Sequence, residues 1–597
     1  MTARGSGAGE LGFLVMIPAV ALLFFPWVAS PFALKQDVAP LLFAAALLYW
    51  SVRGRGLATE TSSFTSPSAR AAILFAACAA GSNLAARNPL EAWLALSLLL
   101  LGVLLFLLGP LRVWSSNFPR RFVQVVYWTS LPISLLGIAQ AVRPGSLDFG
   151  LQALGKMAAF STLGNPQFVA AWLVFSIPLY PALAPTQSDI GARTSTALVA
   201  LAALACLLLT RSASGLLALV AVGLVGLLLS TSNAGVRRVL TGVAVLVPVA
   251  AAILGFATHS GRGRLMIWAE TLLIWGRHPL LGVGLGQYNV HQLEAQHRFF
   301  ALGPWTDAFQ QNAAFVLDAH NQYLQILAEQ GLVGLCLFAF FVVAIISRAR
   351  RWIGQDPLHR CLTVAWCGQL VLFLWNAPLF YFPIQMLFWI TSGVLDPAPE
   401  RADAAAPVTR PRVGVTVTAA VLLLTSAALF WAKLRSGMLE KQGDALLEEG
   451  PFPQSVARYQ AALRWTPQNG YVWEKLGLAQ YFNGDYDAAL ESLDQARERF
   501  GDVGILYLEA EVLTRRKDYP VAIRRFEFIR DAFPQHVTPS FTLGQIFMAR
   551  GDYRHAEQEF VRVLSLPDSP ENLKLDRKKI RIQKDLAFRF LARVRRH

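Results

Sequence analysis

Charge is scarce in this sequence. Asp, Glu, Lys and Arg make up 15% of its 597 residues, where soluble chains carry about 25%. With 54% hydrophobic residues and a mean hydropathy of +0.43, that shortfall excludes an ordinary soluble enzyme. The apolar excess likewise excludes disorder over most of the chain. Cysteine is rare as well: Cys78, Cys206, Cys336, Cys361 and Cys367 all lie in or at the ends of apolar runs, which excludes a disulfide framework and a thiolate metal site. The apolar runs contain almost no ionisable residues, which argues against an ion-coupled transporter with charges at mid-membrane. No small-residue cleavage site follows the first run, so it reads as a retained helix and not a removed signal.

What is present is a series of apolar runs long enough to cross a hydrocarbon core of about 30 Å. Spans are expected near 11–30, 38–52, 71–86, 90–108, 121–142, 166–184, 194–210, 214–230, 237–256, 321–346, 361–377, 379–395 and 412–432. The net charge of +15 then belongs to cytoplasmic loops, not to a nucleic-acid surface. With the N-terminus inside, the inner loops hold Arg53, Arg55, Arg70, Arg112, Arg120, Arg121, Arg193, Arg237, Arg238, Arg348, Arg350, Arg351 and Arg360, and finally Arg401, Arg410 and Arg412. The short outer loops hold only Lys35, Arg87, Arg143, Lys156 and Arg211. This orientation puts segment 257–320 and everything after residue 432 outside. The expected fold is all-α: a polytopic domain over 1–395, an Ala- and Pro-rich cytoplasmic linker over 396–411, one extra helix over 412–432, and an α-solenoid over 436–597.

The solenoid rests on a repeat. Phe452, Tyr486, Tyr519 and Tyr553 are spaced 34, 33 and 34 residues apart, the tetratricopeptide period. Ser455, Ala489, Ala522 and Ala556 supply small residues at the close-packing position. Gly484 and Gly551 precede two of the tyrosines, and Pro467 and Pro534 fall between repeats. Each unit is a helical hairpin that buries its apolar face only against its neighbours.

Three places on the outer side could carry chemistry. Arg211 lies in the short turn Thr210-Arg211-Ser212-Ala213-Ser214-Gly215, where it either points into a cavity or snorkels to headgroups. Arg264 opens a stretch in which Leu265, Trp268, Leu272 and Trp275 share one helical face, flanked by Glu270 and Arg277; this suits an amphipathic helix lying in the interface. His320 opens span ten, where an imidazole could serve as a general base at neutral pH. Asp318 reads first as a cap for that helix and second as a partner orienting His320. His259, His278, His291 and His297 share the loop, and His291 with Glu294 has i, i+3 spacing but no further convincing metal ligands. The GxGxG within 282–286 lacks the strand–turn–helix setting of a nucleotide loop.

Taken together, Ser161-Thr162-Leu163-Gly164-Asn165-Pro166, the Thr210–Gly215 turn, Arg264-Leu265-x-x-Trp268, Pro279-Leu280-Leu281-Gly282-Val283-Gly284-Leu285-Gly286 and His320-Asn321-x-Tyr323-Leu324-Gln325-x-Leu327-x-Glu329-x-Gly331-Leu332 resemble, in this order, the O-antigen ligase / O-antigen polymerase family. The resemblance covers about residues 10–395. It implies a mainly helical glycosyltransferase of the C type in the bacterial inner membrane. Such an enzyme moves a glycan from undecaprenyl diphosphate, without a metal or other cofactor, to a hydroxyl at the outer face. The acceptor is lipid A–core sugar in ligases, another repeat unit in polymerases and a pilin serine in further relatives. By motif, His320 would be the acceptor-activating base and Arg264 a diphosphate-binding cation. Family members commonly carry arginine where this chain has Ala213, so Arg211, two residues earlier, would supply that charge from another backbone position. The repeat module would recruit an acceptor or a protein partner.

Overall fold

In a computed structural model of the chain, residues 7–24, 28, 35–53, 66–109, 114–143, 159–184, 189–243, 246, 258–396, 412–567 and 577–596 are described. The ninth expected span lies largely outside these residues, as do linker residues 397–411 and the cations Arg55, Arg112, Lys156, Arg401 and Arg410. Among the described residues the structure is helical throughout, with no strand. Eight helices are long and apolar enough to cross a membrane, and three shorter apolar helices accompany them.

Several spans open on the same two-residue grammar. A polar side chain caps the helix and proline takes its first position: Ser66-Pro67, Asn88-Pro89, Asn165-Pro166 and Asp356-Pro357. Each capping oxygen accepts a backbone N–H of the first turn, and proline loses nothing where no intrahelical partner exists.

At the centre of the bundle stands Phe382–Leu395, every residue of which is buried. A helix apolar all round has to be enclosed. Its neighbours supply Phe106, Phe341 and Trp366, which pack on Phe388 and Trp389. Close approach depends on glycine here: a Cβ on Gly109 would lie 2.1 Å from the Gly393 carbonyl oxygen. At one end of the bundle Asp396, fully buried, is held by Arg348 and Ser68, and Glu10 engages Ser115 and Arg121. At the other end lie the short loops and the helices of 258–320, and this loop face carries the candidate site.

One helix, Arg412–Glu449, runs without interruption from the last apolar stretch into the repeat module. The hairpins Gly470–Asn483 with Tyr486–Arg499, Val503–Arg515 with Tyr519–Ala532, and Val537–Ala549 with Tyr553–Ser565 follow, closed by Arg577–Val594. Gly484 adopts a left-handed conformation (φ 86°) at the end of its helix, which glycine reaches without a Cβ penalty. The module packs onto the loop face.

Candidate active site

The element that organises the loop face is the connection 373–381, which leads into the central helix. Three of the motifs attach to it. Asn321 caps the helix Gln322–Ala349, accepting from the Tyr323 and Leu324 N–H groups, and donates its amide to the Leu374 carbonyl at 3.0 Å. The Gln322 N–H donates to the Phe373 carbonyl at 2.8 Å, and its side chain accepts from the Leu379 N–H at 2.9 Å. From the turn at 210–215, Ser214 Oγ accepts from the buried Asn376 amide at 3.0 Å. From the 161–166 motif, the Leu163 carbonyl accepts from the Tyr381 hydroxyl at 3.0 Å. Asn376 Oδ1 keeps no partner among the described residues, an acceptor left beside the His320 turn.

Arg264 reaches the same place by packing. Its helix, His259–Trp275, buries Ile267 and Trp268 against Val316, Ala319 and Leu324, and Trp268 meets Trp375 at 6.1 Å between ring centroids. Arg264 lies one helical turn before Trp268. Its guanidinium is partly buried, no carboxylate pairs with it among the described residues, and burial pushes its pKa below the usual arginine range. A desolvated, unpaired cation is poised for an anion.

His320 adopts φ 48°, Arg211 φ 55° and Ser161 φ 49°. Left-handed backbone at non-glycine residues is costly and collects at functional sites; here three of the motifs each carry one. Asp318 departs from its first reading. The cap is Asn321, and Asp318 Oδ1 instead accepts from the His320 backbone N–H at 2.7 Å and lies 3.2 Å from His320 Nδ1. A carboxylate at that distance favours the ring proton on Nδ1 over Nε2. Arg211 is exposed at the tip of its turn, joined to the others among the described residues through the Ser212–Ser214–Asn376 hydrogen bonds.

The interfacial helix is also corrected. Trp268 faces Trp375, the Trp275 indole N–H donates to the Pro279 carbonyl at 2.9 Å, and Met266 enters the core shared with the repeat module. Of the four residues on the expected lipid face, only Leu272 is exposed. The glycine-rich segment finds its reason in the helix Gln322–Ala349, which is broken at Gly331 (φ 67°). The break frees backbone groups that 279–286 satisfies: the Val283 and Gly284 N–H groups donate to the Ala328 and Glu329 carbonyls, and the Leu332 N–H donates to the Pro279 carbonyl. A Cβ on Gly282 would lie 2.3 Å from the Glu329 carbonyl carbon. The glycines serve backbone contact, not phosphate.

Sequence reasoning missed Gln322, Trp375 and Asn376 as supports. The only signal was the break Leu374-Trp375-Asn376-Ala377-Pro378 between two apolar runs.

A bundle of apolar helices that gathers these motifs around one connecting loop, roofed by a helical repeat module, defines a multi-pass membrane protein with a candidate site at one face. Residues 198–339 match the family model described as O-antigen ligase, and residues 440–503 match that of the tetratricopeptide repeat. The chain thus carries an O-antigen ligase-type segment among its apolar helices and a tetratricopeptide segment toward its C-terminus. The first match contains Arg211, Arg264 and His320, and it supports glycan transfer of the ligase or polymerase type. Superkiller complex protein 3 of Mus musculus is 38% identical over 82 residues, which are 14% of this chain and 5% of that protein. The chain thus covers a small part of that relative's length.

Proposed function

We propose that the protein transfers a glycan from undecaprenyl diphosphate to an acceptor hydroxyl at the outer face of the bacterial inner membrane, as a polysaccharide ligase with inversion at the anomeric carbon. The observation that carries the reading is the His320 turn: an imidazole in a strained backbone, its Nδ1 beside Asp318, next to the packing of the Arg264 helix. In the reaction, the acceptor oxygen forms a bond to the anomeric carbon while the bond from that carbon to the diphosphate oxygen breaks. The hydroxyl proton passes to His320 Nε2. Arg264, with Arg211 as a further cation, offsets the charge growing on the departing diphosphate. Asp318 acts through His320, holding the imidazole in one tautomer. Domain 1–395 carries the reaction, and the module over 436–597, on the periplasmic side, recruits the acceptor or a protein partner.

The test uses purified protein, a glycan on undecaprenyl diphosphate, and lipid A–core, repeat-unit and peptide acceptors in separate arms. His320→Ala abolishes transfer with an unchanged thermal transition; undiminished transfer by that folded variant removes the assignment. Arg264→Lys remains poor, because a point charge does not reproduce a bidentate fork. Asp318→Ala lowers kcat on the order of 10²-fold with KM retained, and Asp318→Asn, which keeps an acceptor for Nδ1, recovers part of the loss.

A further inference from the structure

Away from His320, the loop face carries a second concentration of charge. Glu294, in the helix Tyr288–Phe300, is gripped by three guanidinium groups. Arg277 meets both its oxygens, with Nη1 at 2.8 Å. Arg87, from the short loop between two membrane helices, lies at 3.4 Å, and Arg298 at 3.7 Å. One carboxylate cannot neutralise three cations. Arg277 alone satisfies it, and the side chains of Arg87 and Arg298 are each 48% exposed.

Beside them sits His291, 6% exposed, with no hydrogen-bond partner for either ring nitrogen among the described residues. A buried polar group in that state is costly unless a ligand completes it. Burial first, then the charges of Arg87 and Arg277, push its pKa down to about 4, so the ring is neutral and offers one N–H. With Leu273, Ile274 and Ala295, it lines a small recess against Arg277 and Arg298.

We propose a phosphoryl-binding site at the mouth of this recess, in which Arg298 from its lining and Arg87, which meets Glu294 beside it, take the phosphoryl oxygens and His291 donates its ring N–H. Two uncompensated guanidinium charges match a phosphate monoester, which carries about −1.5 to −2, better than a carboxylate. The helix that carries Arg264 ends at Trp275, roughly 16 Å further along at 1.5 Å per residue, and Arg277 lies beyond that end. The site is separate from the proposed diphosphate position. The phosphoryl group has two sources, a phosphorylated glycan or a phosphomonoester lipid headgroup.

The test measures occupancy and not transfer, so its outcome is independent of the reaction assigned above. Thermal unfolding of the full chain is followed in uncharged detergent against inorganic phosphate, and in vesicles of neutral lipid with or without phosphatidic acid. The parent gains stability with phosphate, and Arg87→Ala/Arg298→Ala, which keeps the Arg277–Glu294 pair, weakens the apparent affinity at least tenfold. Stabilisation by phosphate in detergent supports a site open to free or glycan-borne phosphate; stabilisation only by phosphatidic acid, lost in the variant, supports a headgroup site. No stabilisation of the parent in either arm, or an equal gain in the double variant, overturns the proposal. His291→Phe, tested beside it, retains the cations and loses only the donor; it lowers affinity without lowering the unliganded transition.

Discussion

Glu270 shows how a residue's surroundings can reverse its apparent part. On the helix His259–Trp275 it reads as one of the polar flanks of an apolar stripe, yet it is fully buried, accepting from the Gln292 side chain at 3.0 Å. Burial pushes its carboxyl pKa up to about 8. As pH rises through about 4.5 the unfolded chain releases this proton, while the folded chain keeps it until about 8. The unfolded state then binds fewer protons, so the stability present below 4.5 is lost across that window, by up to about 1.4 kcal/mol per pH unit. Glu270→Gln preserves the shape and the acceptor for Gln292 and removes the titration. Thermal unfolding of parent and variant should therefore diverge in favour of glutamine between pH 5 and pH 8; a difference independent of pH would sink the claim. A helical wheel reveals which stripe is apolar. It does not reveal that a second layer of helices covers the polar flank, which is why Glu270 was illegible in the sequence.

At the scale of elements, the docking of 279–286 onto the broken helix Gln322–Ala349 links two motifs that neither periodicity nor composition joins. Glu329 completes the join, its Oε1 accepting from the Gln325 side chain at 2.8 Å, and the Gln325 side-chain Oε1 accepts in turn from the Ala319 N–H at 2.7 Å. Ala319 is the neighbour of His320, so the glycine segment supports the candidate base through three residues. Gly282→Ala forces a Cβ into the Glu329 backbone at φ 74°, a strain of about 1–3 kcal/mol before any clash is counted. The expected result is a lower thermal transition and reduced transfer together. Gly223→Ala, where an added Cβ meets nothing within 4 Å, should leave both in place; equal behaviour of the two variants would refute the role of the close approach. Much of the fold was legible at this scale. Proline after a capping residue marks helix starts at 67, 89, 166 and 357, and hydropathy marks the spans that follow. The connection 373–381 was not legible, because its importance lies in accepting contacts from segments up to about two hundred residues away in the chain, and a single sequence carries no trace of that pairing.

At the scale of the molecule, the repeat module is part of the loop face and not an appendage on a tether. Met266, Leu293, Phe299 and Ala313 of the loop share one apolar core with Leu506, Phe526, Ile529 and Phe533 of the module. Polar contacts fix the register: the Gln296 amide donates to the Ala532 carbonyl and the Gln535 amide to the Ala313 carbonyl, both at 2.8 Å, while His297 stacks on Phe528 at 4.6 Å. The same core flanks the helix that carries Arg264. Deleting the module would consequently expose buried Met266 and Phe299, each 1% exposed, and loosen the helix that presents the cation. Loss of transfer in a truncated chain would then report a disturbed loop as well as lost recruitment. Limited proteolysis separates the two. A chain ending at residue 450 should be cleaved within 258–320 at least tenfold faster than the full chain, since about 1.4 kcal/mol of lost docking is already tenfold in the open population. Gln296→Ala/His297→Ala, which removes contacts but leaves the module attached, should fall between them. Equal protection of the loop in all three proteins would mean that module and loop merely touch, and that the module's part in the reaction is recruitment alone.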